Sequence, residues 1–218
     1  HLAAPPVRAL LPSPFDYPTQ TKVYVVTDVN RANGDQVATA YRELFLAANG
    51  GALGLFTAIT RLRTVQNKIA TSIEQAGLTL LSQHVDGMDT ASLIEIFRAD
   101  QNSCILGTDA IRDGVDIPGK ALRLVVFDRV PWPRPTILHR ARKKAFGGTD
   151  YEDRITRLRF KQAYGRLVRR AEDHGVFIIL DSRTPTRLLT AFPEGVKVER
   201  TGLIDAIEGT KDFLNGFY

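Results

Sequence analysis

The sequence contains a single cysteine, Cys104, inside the short apolar run Cys-Ile-Leu. One cysteine excludes an internal disulfide, so we expect a reducing, cytoplasmic environment. It also excludes an iron–sulfur cluster held by this chain alone, because such clusters need several thiolates. No uninterrupted apolar stretch approaches the roughly 20 residues of a membrane span, and no signal peptide is evident. The only methionine is Met88 and the chain starts at His1, so we expect a piece of a longer protein.

Several motifs of nucleotide and metal chemistry are also missing. The phosphate cradle Gly-x-x-x-x-Gly-Lys-Ser/Thr does not occur, so the chain is not expected to hydrolyse a nucleoside triphosphate alone. No Gly-x-Gly-x-x-Gly turn follows a strand, which argues against a dinucleotide enzyme. The histidines lack the cysteine or histidine partners of a zinc site, so no metal is expected in this chain.

What the sequence does have is a core-forming composition and a local excess of positive charge. Hydrophobic residues make up 44% of the 218 residues, enough for one large domain. Lys and Arg total 29 against 24 Asp and Glu, which permits a polyanion partner without requiring one. The excess is concentrated in one third of the chain, in two clusters: Arg134, Arg140, Arg142, Lys143 and Lys144, then Arg154, Arg157, Arg159, Lys161, Arg166, Arg169 and Arg170.

Apolar periodicity predicts alternating strands and helices after an extended, proline-rich lead-in at 1–20. Strands are expected at 22–27, 52–57, 78–81, 103–107, 122–127 and 176–180, and helices at 36–48, up to 75, 92–99, 160–175 and 203–214. This alternation indicates an α/β domain over 21–218, with a mostly parallel sheet covered on both faces. Residues 131–150 read as a basic, irregular segment. Functional loops are expected at the carboxyl ends of the strands.

Residues 160–175 read as one amphipathic helix with two faces. Its apolar face would carry Phe160, Tyr164, Leu167 and Ala171, and its polar face Gln162, Arg166 and Arg169. Gly165 would then lie in mid-helix, at a cost of about 1 kcal/mol relative to alanine, and Gly175 would end the helix. Guanidinium groups in a row suit a phosphate ligand, although a merely solvated basic face is the common alternative.

This pattern, Gln162-x-x-Gly165-Arg166-x-x-Arg169 followed by Asp173-x-Gly, resembles motif VI of superfamily 2 helicases. It is most similar to the branch that contains DinG and XPD. The resemblance implies a RecA-like fold in which Arg166 and Arg169 act as arginine fingers on ATP, with Gln162 in the same catalytic group and Gly165 near the nucleotide. Such fingers stabilise the charge of the transferring phosphoryl group.

Two further stretches resemble helicase motifs in the same order. Residues 106–119 are similar to motif V and keep Gly107, Thr108, Gly114 and Asp116, but have Arg112 where an aromatic residue is usual and Asp113 where Glu is usual. The family pattern implies that Gly107 and Thr108 contact DNA and that Gly114 and Asp116 contact the nucleotide. The stretch could also be simply an acidic surface loop. The Leu-Phe-Thr ending at Thr57 resembles motif IV and implies a DNA-backbone contact.

The resemblance as a whole implies the second motor domain of an ATP-dependent DNA helicase. ATP with Mg²⁺ would be held mainly by an upstream RecA-like domain, which in this branch often carries an iron–sulfur cluster. Single-stranded DNA is the implied partner, and no membrane is involved. A non-catalytic nucleic-acid-binding domain with a degenerate motor fold, or an unrelated α/β nucleotide-binding enzyme, remains possible. The pathway stays open between repair, replication conflicts and mobile-element systems.

Overall fold

The computed structural model describes residues 13–108, 111 and 121–218. Seven strands form one sheet in the order β3-β4-β2-β5-β6-β1-β7, and every neighbouring pair is parallel. The strands are β1 Thr21–Val26, β2 Ala52–Leu55, β3 Thr79–Ser82, β4 Ser103–Gly107, β5 Leu124–Phe127, β6 Gly175–Ile179 and β7 Val198–Thr201. This is the parallel α/β sheet expected from the alternation of strands and helices, and it agrees with the RecA-like fold that the motif resemblance implies.

Helices cover both faces of the sheet, as parallel crossovers require. The helices are α1 Tyr17–Gln20, α2 Gly34–Ala48, α3 Ile59–Gln75, α4 Thr90–Ala99, α5 Ile137–Ala145, α6 Thr149–Tyr164 and α7 Leu203–Asn215, with a 3₁₀ helix at Thr186–Ala191. One apolar layer lies under α2, α3 and α7, and the other under α4, α6 and the 3₁₀ helix. Within the described ranges, each helix is too short or too polar to span a bilayer.

Local capping explains where the helices begin and end. The side chain of Asn33 accepts hydrogen bonds from the Asp35 and Gln36 amides at the start of α2, and Asn49 ends that helix in the left-handed region. The carboxylate of Asp89 caps α4 in the same way, through the Ala91 and Ser92 amides. These caps place the two helix starts two residues earlier than apolar periodicity alone predicts.

The single helix expected at 160–175 is wrong. The helix is α6, which starts at Thr149 and ends at Tyr164, with Gly165 as its C-cap residue and Gly175 already in β6. After Tyr164 the amides of Arg166 and Leu167 bond three residues back, to Ala163 and Tyr164, which tightens and closes the last turn. Phe160, Tyr164 and Leu167 are buried as expected, whereas Ala171 is exposed beyond the helix end.

Two other expectations need correction. The segment 131–150 is not irregular throughout, because it contains α5, capped by the Thr136 hydroxyl on the His139 amide. The extended lead-in at 1–20 ends in a helical turn, α1, where Tyr17 is followed by Pro18. The first twelve residues of that lead-in lie outside the described part of the chain.

Candidate functional site

The predicted arginines lie in a loop between α6 and β6, which we call the arginine loop (residues 165–174). Arg166 and Arg169 are half-buried, and Gln162, in the last turn of α6, is exposed. Gly165 is exposed and has an ordinary negative φ of −64°. A Cβ on Gly165 would lie 3.2 Å from the carbonyl oxygen of Lys161. Gly165 is therefore a helix-ending residue, and no close approach of another segment explains it.

A buried carboxylate fixes the backbone of the arginine loop. The Oδ2 of Asp173 accepts hydrogen bonds from the backbone amides of Arg169 and Arg170, each at 2.9 Å. The Asp173 amide donates back to the Arg170 carbonyl at 3.2 Å. Asp173 is only 4% exposed, so this charge-assisted capping operates largely out of water. Its geometry holds Arg169 in one backbone position.

A second polar side chain reaches the loop from far away in sequence. The side-chain amide of Gln20, immediately before β1, donates to three carbonyl oxygens of the loop. These belong to Arg170, Ala171 and Asp173, at 3.1, 2.9 and 3.1 Å. Gln20 is 4% exposed, and its contact with the Asp173 carbonyl is buried, so it supplies a donor to a backbone acceptor inside the protein.

The arginine loop lies at the amino edge of the sheet, defined here as the edge where the strands begin. Helix α6 runs back from the carboxyl end of β5, so its own end reaches the start of β6. Gln20 and Arg123, which directly precede β1 and β5, are neighbours of this region: the Val176 amide donates to the Arg123 carbonyl at 2.8 Å. The expectation that all functional loops follow the carboxyl ends of strands is therefore wrong for these arginines.

The predicted DNA contacts lie at the opposite, carboxyl edge. Thr57 follows β2 and Thr108 follows β4, and these strands are neighbours paired through Leu55 and Gly107. Thr57 is half-buried, whereas Thr108 is 8% exposed. Both the amide and the hydroxyl of Thr108 donate to Oε1 of Gln83, at 2.9 and 3.0 Å. The structure thus brings the two threonines to one edge and separates both from the arginine loop.

Gly107 has a packing explanation. The residue is buried, and a Cβ built on it would collide with the side chain of Ile111. A side chain at this position would displace Ile111 from the core. This packing contact by itself requires glycine at position 107, independently of the predicted DNA contact.

Sequence reasoning missed a buried charge network at the carboxyl edge. Asp128, directly after β5, accepts from the Thr57 amide at 3.1 Å and pairs with Nε of Arg61 at 2.6 Å. Arg61 also donates to the backbone carbonyl of Arg31 at 3.0 Å, and that same oxygen accepts from Arg129 at 3.2 Å. The pattern of a charged residue directly after an apolar strand, as in Phe-Asp-Arg, was the available signal.

The Asp128 carboxylate carries opposing electrostatic influences. Its side chain is fully buried, and burial raises the pKa of this carboxyl group above its ordinary value, while the Arg61 guanidinium acts in the opposite direction. Burial also lowers the pKa of Arg129. The buried Asp128 carboxylate is therefore paired with Arg61, and this ion pair fixes the start of α3 relative to β5.

Residues 41–198, more than half of the chain, match the family model described as Helicase C-terminal domain. The chain belongs to this family.

Comparison with curated relatives places this helicase C-terminal domain among DinG-type proteins. It is 34% identical over 186 residues to "ATP-dependent helicase DinG" of Mycobacterium tuberculosis, covering 80% of the chain and 27% of the relative. It is 30% identical over 191 residues to "ATP-dependent DNA helicase YoaA" of Escherichia coli, covering 82% of the chain and 29% of the relative. The chain thus spans less than a third of the length of these curated relatives.

A solved structure named "XPD_Helicase" shares the fold. The TM-score is 0.62 at 16% identity, over 83% of this chain and 35% of that one. At this identity the likeness supports the RecA-like architecture alone.

Most of the motif V stretch of this helicase C-terminal domain lies outside the described residues. Gly114 and Asp116, predicted to contact the nucleotide, fall there, as do the unusual Arg112 and Asp113. Before this stretch Thr108 lies at the carboxyl edge, and after it Ala121 precedes β5 at the amino edge. The sequence of motif V therefore joins the edge of the threonines to the edge of the arginines.

Proposed function

We propose that this chain is the second motor domain of an ATP-dependent DNA helicase. In this proposal an upstream RecA-like domain of the full-length protein binds ATP, and Arg166 and Arg169 reach its phosphates when the two domains close. The observation that carries the proposal is the arginine loop itself. Arg166 and Arg169, in the motif VI spacing, are partly exposed at one edge of the sheet, in a loop whose backbone at 169–173 is held by Asp173 and Gln20.

The residues present fit a phosphate-contacting role for ATP. Guanidinium groups keep their charge at any working pH and match phosphate oxygens with fixed, forked donors. Fixing the loop backbone in advance reduces the reorganisation needed as charge develops on the phosphoryl group. Gln162, exposed one turn before Gly165, is proposed to act on the same phosphates as the two arginines. Gly114 and Asp116 are proposed to contact the nucleotide from motif V.

Mg²⁺ is assigned to the upstream domain. Among the described residues, no three His, Cys, Asp or Glu side chains gather as a metal ion requires. Mg²⁺ supplies charge neutralisation on the phosphates when it is bound, and the arginines of this domain would add positive charge beside it. An iron–sulfur cluster, where the full-length protein has one, must likewise use thiolates from elsewhere, because Cys104 is the only cysteine here.

Single-stranded DNA is proposed to cross the carboxyl edge. Thr57 and Thr108 would contact the sugar–phosphate backbone, so binding would depend little on base sequence. Thr108 would have to redirect its hydroxyl from Gln83, whereas Thr57 uses only its amide in the Asp128 contact. Thr57 is therefore the better-prepared contact of the two. Because motif V joins the two edges, it is the natural route by which nucleotide state and DNA contact are linked.

The test is ATP turnover by the full-length protein with and without single-stranded DNA, compared with its Arg169→Ala variant. The variant is expected to lose the DNA-stimulated turnover by roughly three to five orders of magnitude, as for other arginine fingers. Arg170→Ala is the matched control, because it removes an adjacent, exposed arginine outside the motif VI spacing.

Equal turnover in wild type and Arg169→Ala would remove the finger assignment. Absence of turnover in a folded, DNA-binding wild type would favour a degenerate binding domain instead. Loss in both arginine variants to the same extent would show that charge in the loop matters but that the motif spacing does not.

A further inference from the structure

An unassigned cavity opens at the carboxyl edge, beside the ends of β1, β5 and β6. It has a volume of about 640 Å³ and is lined by three arginines, which define what we call the arginine pocket: Arg31, Arg129 and Arg183. None of them belongs to the helicase motifs identified in the sequence. Asp28 is the one acidic residue in the lining. Three guanidinium groups facing one cavity give it a positive lining that suits an anion.

Two acidic groups lie near the arginine pocket, and both already accept hydrogen bonds from the protein. The Oδ1 of Asp28 accepts from the Leu203 amide at 2.9 Å, which turns this carboxylate toward the first turn of α7. Asp181, 1% exposed, pairs with Nη1 of Arg31 at 2.8 Å and accepts from the amides of Val130 and Arg183. The Asp181 carboxylate is therefore buried behind the cavity and the exposed Asp28 carboxylate bonds the start of α7, while the guanidinium groups retain donors for the cavity.

The three arginines differ in how firmly they are held. Arg31 is anchored by Asp181, and Arg129 by the Arg31 carbonyl at 3.2 Å. An arginine has five N–H donors, so each keeps several after these contacts. Arg183 is exposed, and its side chain makes no hydrogen bond or ion pair with another residue that the structure describes. The pocket thus combines two oriented cations with one adjustable cation.

The pocket is mechanically tied to the proposed DNA contact. The Arg31 carbonyl accepts from Arg61, Arg61 pairs with Asp128, and Asp128 holds the Thr57 amide. In sheet order β5, β6 and β1 are one, two and three strands away from β2. With strands about 4.8 Å apart, the pocket lies roughly 5–15 Å along the same edge from Thr57.

We propose that the arginine pocket binds a phosphate of the nucleic-acid backbone and extends the DNA path from Thr57 toward β1. The inference rests on the proposed function, since it takes DNA to cross the carboxyl edge. A backbone phosphate fits better than a free one, because the cavity is open and larger than one phosphate needs, leaving room for the sugars on either side. Forked guanidinium donors match its two free oxygens.

The experiment uses the full-length protein and a fluorescently labelled single-stranded oligonucleotide, titrated without nucleotide at several salt concentrations. Loss of one phosphate contact lowers the slope of log affinity against log salt by about 0.7. When salt is raised from 50 to 200 mM, the affinity of Arg183→Ala should therefore decrease by a factor that is about 2.6-fold smaller than the decrease for wild type. Arg98→Ala is the control, because this exposed arginine at the end of α4 lies toward the amino edge and makes the same charge change.

A second arm locates the phosphate on the strand. Oligonucleotides that carry one neutral methylphosphonate are scanned position by position. The proposal requires one position at which neutralisation weakens binding to wild type and to Arg98→Ala but no longer weakens binding to Arg183→Ala. Salt slopes that are identical for Arg183→Ala and Arg98→Ala would overturn it.

Inorganic phosphate serves as the probe for the other source of this anion. If phosphate raises the melting temperature of wild type but not of Arg183→Ala while the DNA salt slopes are equal, the pocket takes a free anion and the backbone assignment is wrong. Failure of the proposed function looks different, because wild type itself would then show no salt-dependent binding of single-stranded DNA.

Discussion

Gln20 and Asp173 show how few side chains fix the position of the proposed arginine fingers. One amide and one carboxylate, both nearly fully buried, account for five hydrogen bonds to the backbone of residues 169–173. The sequence identified Arg166 and Arg169 through their spacing and marked Asp173 only as part of Asp-x-Gly. Gln20 could not have been found, because its contacts cross about 150 residues of chain and leave no local pattern.

Cys104 provides the sharpest test of burial at a single side chain. Burial raises the pKa of its thiol to about 12, and the thiolate is the form that reacts. Iodoacetamide at neutral pH should therefore modify the native chain very slowly and the urea-unfolded chain readily, as measured by intact mass. Labelling of the native chain at the unfolded rate would contradict the buried position of β4.

The same shift has a consequence for stability against pH. The folded pKa lies above the ordinary value of 9.0, so the contribution of the neutral thiol is complete below pH 9. That contribution is lost as the pH rises from 9 to about 12. Cys104→Ala should show a shallower decrease of unfolding free energy over this window than wild type, whatever its absolute stability.

Among the secondary-structure elements, those with strong apolar signals were predicted and those with weak signals were not. The six strands expected from apolar runs all exist, because a strand buried on both faces must be apolar at nearly every position. Strand β7 was missed because Val-Glu-Arg-Thr is polar and half-exposed at the sheet edge. Helix α5 was missed because it buries only His139, while its other side chains, basic residues together with Ile137 and Leu138, give no buried apolar face.

The boundary of α6 illustrates a different failure. Its start is marked by Asp150 and Glu152 in the first turn and its end by Gly165, signals that a helix dipole and a C-cap explain. Choosing Gly175 as the end instead extended the helix through the loop. Gly175 is required for another reason, since a Cβ there would lie 2.7 Å from Cδ2 of Leu167.

Removing the cap of the arginine loop should loosen that loop locally. Asp173→Ala deletes two charge-assisted, part-buried hydrogen bonds from backbone amides, and we expect a loss of roughly 2–4 kcal/mol of unfolding free energy. Hydrogen exchange should accelerate at the Arg169 and Arg170 amides more than in the strands. Urea denaturation and exchange mass spectrometry measure the two effects.

Asp212→Ala is the matched control for this change, because Asp212 is an exposed acid on α7. Equal stability losses in the two variants, or exchange that rises evenly over the whole chain, would mean that Asp173 does not act as a loop cap. A full-length Asp173→Ala protein should also lose turnover even though Arg169 is intact.

At the scale of the whole domain, the length of the strands separates the proposed ATP-contacting arginines from the proposed DNA-contacting threonines. A five-residue strand spans about 17 Å, so the arginine loop and the Thr57 edge are too far apart to contact the same phosphate group. The fold and the motif residues could be predicted from local sequence, but this separation could not. It depends on the direction of α6 across the sheet, and the arginine pocket depends on loops from three strands that are distant in sequence.

In the full-length protein, a substitution at one edge should therefore leave the activity proposed for the other edge intact. Thr57→Val removes one hydroxyl while keeping the backbone amide for Asp128, and it should weaken nucleotide-free binding of single-stranded DNA about five-fold, as for one hydrogen bond. Its ATP turnover at saturating DNA should stay near wild type.

Arg169→Ala should do the reverse, with DNA affinity within about two-fold of wild type and turnover abolished, because sites more than roughly 10 Å apart act additively. Thr71→Val, an exposed threonine toward the far end of α3, controls for the loss of a hydroxyl. If Arg169→Ala weakens nucleotide-free DNA binding as much as Thr57→Val does, the arginine loop contacts DNA itself, and the division between the two edges is wrong.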